Sequence, residues 1–237
     1  MMQHIVVTGS NRGIGLAIVK DYLQRGDVHV FATCRTPSSA DELQQLQSNN
    51  PDALTIVELD VNDGTSINNA VDTVRAKTDK LDALINNAGI YPKDANSQNF
   101  GDLEAEPIAN VLAVNSIAPA LVTQAFVPLL KAGNNPRVVV VSSQMGSIER
   151  TGGTSGFSYR MSKAAVNMAV KVMSNALKSD GVTVITTHPG HVATDMGGSS
   201  APVTPEQSAA GLVDLTENLT IAQTGQFFDY TGTPMPW

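Results

Sequence analysis

Short apolar, β-branched runs recur along the chain at Ile5–Thr8, Val28–Ala32, Leu54–Leu59, Ala83–Ile85, Val138–Val141 and Val182–Thr186. They lack the polar alternation of a half-exposed strand, which suits strands covered on both faces. The stretches between them are long enough for crossover helices, and the pattern predicts helices beginning near Gly13, Ser38, Asp63, Leu103, Tyr159 and Pro205. Thr204 is a candidate N-cap for the last of these, with Pro205 at the first helical position. A late run, Gln226–Tyr230, adds a candidate edge strand before a Pro-containing tail ending in Trp237. Strand and helix thus alternate as βαβ units, and right-handed crossovers put helices on both faces of one sheet. The expected fold is α/β, a doubly wound parallel sheet of Rossmann type. The sequence carries no linker, repeat or low-complexity tract, so one domain over residues 1–237 is expected.

Composition removes several function classes. The chain is 42% hydrophobic and 16% charged with a formal net charge of -7, and it has no basic arm or polybasic tail, which disfavours broad nucleic-acid binding. Met1-Met2-Gln3 passes almost directly into Ile5-Val6-Val7 without the pattern of a secretory signal, so a cytoplasmic location is expected. No uninterrupted apolar run approaches the roughly 18 to 20 residues of a membrane span, and no membrane partner is expected. Cys34 is the single cysteine, which excludes an internal disulfide and a cysteine metal cluster and suits a small buried apolar role. His188 and His191 flank a Pro-Gly turn without further ligands nearby, so no metal is expected.

The first strand runs into Thr8-Gly9-Ser10-Asn11-Arg12-Gly13-Ile14-Gly15, a tight glycine turn opening an apolar helix. Glycines let the backbone approach a ligand, and the free amides of a helix start favour an anion, so Gly9 to Gly15 are candidate pyrophosphate-binding residues. The second strand ends at Ala32-Thr33-Cys34-Arg35, where an NAD-preferring fold usually carries a carboxylate against the ribose 2′-hydroxyl. A guanidinium there suits a 2′-phosphate, and Arg12 adds a second positive charge, so the expected cofactor is NADP(H).

A strand ending in Ser142-Ser143, followed by Gly146, leads through a Gly/Ser/Thr-rich loop to Tyr159-Arg160-Met161-Ser162-Lys163. Tyr159 and Lys163 are one helical turn apart and share a face, so an ammonium stands near a phenol. A neighbouring cation favours the phenolate and brings a tyrosine, whose ordinary pKa is about 10, into use as an acid or base. Ser143 is placed to hydrogen-bond a substrate oxygen, with Ser142 as the alternative. A Tyr-x-x-x-Lys pair alone is common on surface helices; the combination is what carries weight.

Over nearly its whole length the chain resembles the short-chain dehydrogenase/reductase family. The matching stretches are Thr8–Gly15, Leu59-Asp60-Val61, Asn86-Asn87-Ala88-Gly89, Asn115, Ser143, Tyr159 with Lys163, and His188-Pro189-Gly190 through Thr194. Tyr159-Arg160-x-Ser162-Lys163, Asp195-Met196-Gly197-Gly198 and the Gly232–Trp237 tail resemble the carbonyl-reductase branch of sniffer and C-factor type. The resemblance implies catalytic roles for Ser143, Tyr159, Lys163 and Asn115, the last holding a water that links Lys163 to solvent. It also implies adenine contacts from Asp60 and Val61, and a cofactor groove lined by Asn87, Ala88 and Gly89. Lys163 would bind the nicotinamide ribose, and Pro189, Gly190, Val192 and Thr194 would place the nicotinamide. The implied activity is reduction of a small aldehyde, ketone or quinone by NADPH. An alcohol dehydrogenase, a 3-oxoacyl reductase and a low-turnover NADP-binding signalling protein are the alternatives. A homodimer is implied, or a tetramer. The serine-to-tyrosine segment is longer than in the shortest family members, which bears on the pocket rim. The loops near Tyr91–Phe100 and Gly197–Pro205 are expected to shape the pocket, the latter as a short lid.

Overall fold

The computed structural model describes residues 2–92 and 98–237. Seven parallel strands form one sheet: β1 (Gln3–Val7), β2 (Val28–Cys34), β3 (Leu54–Glu58), β4 (Ala83–Asn86), β5 (Arg137–Val141), β6 (Thr183–His188) and β7 (Phe227–Asp229), in the order β3-β2-β1-β4-β5-β6-β7. The helices are α1 (Gly13–Arg25), α2 (Asp41–Asn49), α3 (Gly64–Arg75), α4 (Ala105–Leu112), α5 (Ala118–Lys131), α6 (Phe157–Leu177) and α7 (Pro205–Asn218). Strand order reverses beside β1, which pairs with β2 through Ile5 opposite Val30 and with β4 through Ile5 opposite Ala83. The carboxyl ends of β1 and β4 therefore open a crevice, where this kind of sheet binds ligands.

The uninterrupted apolar runs now have a cause. Ile5, Val7, Val30, Val139 and Ile185 pack under α1 and α7 with Leu16, Ile18, Leu212 and Val213. The alternate residues Val6, Phe31, Leu84, Val138, Val140 and Val184 pack on the opposite face against α3, α5 and α6, through Val71, Phe126 and Val166. With side chains alternating across the sheet, both sets must be apolar.

Three elements depart from the sequence expectation. The helix expected near Ser38 is a 3₁₀ turn at Pro37–Ser39, and α2 proper begins at Asp41, whose carboxylate with that of Glu42 suits a helix start. The helix expected near Leu103 runs without a break from Ala105 to Lys131 by way of a π turn at Ala113–Ile117. At 27 residues it is long and apolar enough to pass for a membrane span, although no uninterrupted apolar run in it is of that length. Val122, Phe126, Leu129 and Leu130 on it are buried against the sheet. Finally, α6 starts at Phe157, two residues ahead of Tyr159, after Gly156 at φ +76°. The α7 cap is as expected: Thr204 Oγ1 accepts from Gln207 N at 3.2 Å, and Gln207 Oε1 accepts from Thr204 N at 3.0 Å.

The tail folds back beside β7. Met235 N donates to Phe227 O at 2.8 Å, and Trp237 stacks on Phe227 with ring centroids 5.6 Å apart. Ser147 Oγ and Glu149 N donate to Trp237 O at 3.1 and 3.2 Å, tying the tail to the loop that leads to Tyr159.

Candidate functional site

A groove of about 490 Å³ opens at the carboxyl ends of β1 and β4. Its floor is the glycine turn. Gly9 at φ +66° lies against Ala88, where a Cβ would stand 3.0 Å from Ala88 Cα, and a Cβ on Gly15 would collide with Gly9 O. These glycines are set by backbone packing as much as by ligand approach. Thr8 and Asn87 clasp the turn to β4: Thr8 Oγ1 accepts from Asn87 N and Ala88 N, each at 3.0 Å, and Asn87 Nδ2 donates to Thr8 O at 2.9 Å and Gly9 O at 3.0 Å. Thr8 has no assigned role in the sequence reading; its place at the head of the glycine motif was the available signal. The N-cap of α1 is Arg12, with no side-chain cap bond, so the first amides of the helix remain open toward the groove.

Gly9, Asn11, Arg12, Gly13 and Ile14 line the groove at this end. Ser10 does not. It is fully buried, its hydroxyl donating to Val7 O at 2.6 Å and its amide to Thr33 O at 2.9 Å, so it braces the turn against β2. Gly15, Gly190 and Val192 also stand outside the lining. Arg35, Asp60 and Val61 line the end beside β2 and β3, Ala88 and Gly89 the middle, and Pro189 and Thr194 the far wall. Across the mouth, the exposed Arg12 guanidinium pairs with Asp195 at 3.1 Å. The segment expected as a lid is tied at Val203, which accepts from Ala193 N at 2.8 Å and donates to His191 O at 3.1 Å. Of the other rim loop, residues 93–97 lie outside the described residues.

At the chemical end, Tyr159 and Lys163 line the groove from α6. Lys163 Nζ stands 5.6 Å from the centre of the Tyr159 ring and donates to Val141 O at 2.9 Å. Both residues are buried. Burial lowers the Lys163 amine to about 8. Burial also pushes the Tyr159 phenol up to about 12, against a hydrogen bond from Ser143 that lowers it and with the field of Tyr91 raising it. The phenol therefore stands above its ordinary value in the protein alone, where the sequence expectation is a lowered one, because desolvation outweighs the Ser143 hydrogen bond.

Ser143 Oγ accepts from Met145 N at 3.1 Å, which leaves its hydroxyl proton free to meet the phenol oxygen. Ser142 does line the groove, but its hydroxyl is turned to Lys163 O at 3.4 Å. Gly146 permits this arrangement, since a Cβ there would stand 2.7 Å from the backbone carbon of Lys163. Asn115 sits inside the π turn, outside the groove lining, with its amide bonded both ways to Ile90: Oδ1 from N at 2.8 Å and Nδ2 to O at 2.9 Å. A π turn puts one extra residue into a helix and recurs at functional sites. Here it brings Asn115 Oδ1 and Lys163 Nζ within 3.3 and 3.7 Å of where a Cβ on Gly89 would be. Of the histidines, His191 Nε2 bonds Gly197 O at 2.9 Å, and burial lowers His188 to about 4. Cys34 is buried, with its thiol pushed up by that burial. On α6, Met173 packs on the core, whereas Met161 and Met168 face outwards.

Known proteins resemble the chain in sequence and in fold. The short chain dehydrogenase family model matches residues 3–203. In sequence, the chain is 39% identical over 160 residues to C-signal of Myxococcus xanthus, covering 68% of this chain and 95% of that protein. It is 32% identical over 240 residues, the full length of both, to 1-hydroxy-2-glutathionyl-2-methyl-3-butene dehydrogenase of Rhodococcus sp. strain AD45. Among solved structures, carbonyl reductase Sniffer of D. melanogaster superposes with a TM-score of 0.94 at 34% identity over 100% of both chains. An NADPH-bound carbonyl reductase from chicken fatty liver superposes at 0.93 with 36% identity, over 100% of this chain and 99% of that one. The chain belongs to the short-chain dehydrogenase family.

Proposed function

We propose that the chain is an NADPH-dependent carbonyl reductase working as one catalytic unit on a small aldehyde, ketone or quinone, with Tyr159 as the proton-transfer residue. The observation that carries this reading is the buried Tyr159 phenol, hydrogen-bonded by Ser143 and adjoined by the Lys163 amine, at the lip of a groove whose ribose end carries Arg35. The residues present fit NADP(H): open α1 amides for the pyrophosphate, and Arg35 and Arg12 for the 2′-phosphate. The Arg12–Asp195 pair is exposed and weak enough to yield to a phosphate. The NADPH-bound chicken relative supports the same choice.

When bound, the cofactor supplies the hydride that the carbonyl carbon accepts. Tyr159, held protonated by burial, donates its phenolic proton to the carbonyl oxygen, which Ser143 orients. Lys163 keeps a positive charge beside the phenolate that remains, until a proton returns. Asn115 fixes the backbone at Ile90 next to this pair. The apolar outer faces of the π turn and α5 (Ile117, Leu121) and of α6 (Met161, Met168, Val172) would be covered by a second copy, giving a homodimer.

The test is NADPH oxidation over a panel of aldehydes, ketones and quinones, with NADH and Tyr159→Phe in parallel. Turnover that favours NADPH and falls by about a hundredfold or more in Tyr159→Phe is expected. Tight NADPH binding without turnover would favour a signalling role instead, and activity surviving within a few-fold in Tyr159→Phe would require another acid.

A further inference from the structure

Tyr91 lines neither the cofactor groove nor the core, yet it lies over the proton-transfer residue. The two ring centroids are 4.8 Å apart at an interplanar angle of 55°, within the tilted range that aromatic pairs prefer. Tyr159 is 8% exposed and Tyr91 38%, so one ring is buried beneath the other, whose remaining surface faces outwards.

Tyr91 is held there by the backbone beside it. Its neighbour Ile90 is clamped at both N–H and C=O by Asn115, and Asn115 Nδ2 also donates to Ser162 Oγ at 3.1 Å. Ser162 belongs to α6, as does Tyr159, so both rings are fixed to one frame. Gly156 makes room opposite: a Cβ there would stand 2.7 Å from Met145 Cε and 3.6 Å from Tyr91 Oη. Tyr91 thus stands against the Tyr159 ring outside the cofactor groove lining, with Met145 across Gly156 from its hydroxyl.

We propose that Tyr91 is a specificity-determining residue, whose open ring surface stacks on a planar group conjugated to the reacting carbonyl. Aryl and conjugated carbonyls are then selected over saturated ones of similar size. The assignment rests on the reductase reading of the same site. Stacking adds to simple burial because the ring quadrupoles align in offset or tilted pairs, and a saturated ring of equal size has no such face. The expected selectivity is about two- to twelvefold.

The experiment compares kcat/KM with NADPH for benzaldehyde and cyclohexanecarboxaldehyde in the wild type, Tyr91→Phe, which keeps the ring, and Tyr91→Leu, which keeps bulk without it. Calorimetric binding of benzamide and cyclohexanecarboxamide to the NADP⁺-loaded protein reads the same preference without turnover. The aryl-to-saturated ratio is expected to stay within about twofold of wild type in Tyr91→Phe and to fall about two- to twelvefold in Tyr91→Leu, chiefly through KM. A ratio unchanged in Tyr91→Leu, or a parallel rise for both substrates, would overturn the assignment and leave Tyr91 as bulk or obstruction. If neither aldehyde turns over but the Tyr91-dependent aryl preference persists in binding, the reductase reading fails and the role of Tyr91 stands.

Discussion

A lysine with almost no exposed surface is costly while it is charged, and Lys163 makes that cost measurable. Its amine is lowered to about 8 from 10.5 by burial. Below pH 8 it is charged in both folded and unfolded chains, and the full penalty, on the order of 3 kcal/mol, bears on the fold. Between about 8 and 10.5 the unfolded chain binds more protons, so stability rises with pH; above that window the penalty is gone. Thermal melts should show this rise in the wild type and its absence in Lys163→Met, which should also melt higher at pH 7 while losing activity. Activity moves the other way. Reductive kcat should fall as pH climbs past about 8, because Lys163 loses its charge while Tyr159, held up at about 12, keeps its proton. A first alkaline limb near 10 would separate kcat from the buried amine. The pairing of Tyr159 with Lys163 was legible in their spacing, but the direction of the phenol shift was not, since it depends on burial supplied by α6, β5 and Tyr91. Ser10 is a related case: a serine in a glycine turn reads as a ligand contact, and its hydroxyl is bonded to Val7 O.

Between elements, the site depends on how closely the turn after β5 sits on α6. Gly146 is that contact, and a methyl group there would push into the Lys163 backbone. Gly146→Ala should therefore displace Ser143 from Tyr159 and lower kcat by on the order of tenfold or more, short of the roughly hundredfold loss of a whole donor. NADPH affinity, set at the other end of the groove, should change by only a few-fold. A loss of affinity with kcat intact would place the damage in the glycine turn instead. The strands were legible because two buried faces force continuous apolar runs, and α7 because Thr204 and Pro205 mark its start. The π turn was not. Ala113–Ile117 has ordinary helical composition, with nothing in it to mark the shift that brings Asn115 to Ile90.

On the scale of the molecule, the proposed catalytic pair and part of the proposed dimer face are carried by one helix. Tyr159 and Lys163 are buried on α6, whereas Met168 and Val172 point outwards, 66% and 59% exposed; Ile117 at the end of the π turn and Leu121 on α5 do likewise. Apolar residues at i and i+4 on two helices that pack together make a continuous face, and a two-fold axis would pair it with itself. The formal net charge of -7 gives two copies a mutual repulsion that the buried apolar area must outweigh. Two charges placed on that face, Met168→Glu with Val172→Lys, should leave the monomer fold intact, because neither side chain is part of the core. Light scattering should then find a dimer for the wild type and a monomer for the double variant, and the wild-type melting temperature should rise with protein concentration while that of the variant stays constant. A wild type that is monomeric at micromolar concentration would remove the dimer and leave the exposed α5–α6 face open to another partner.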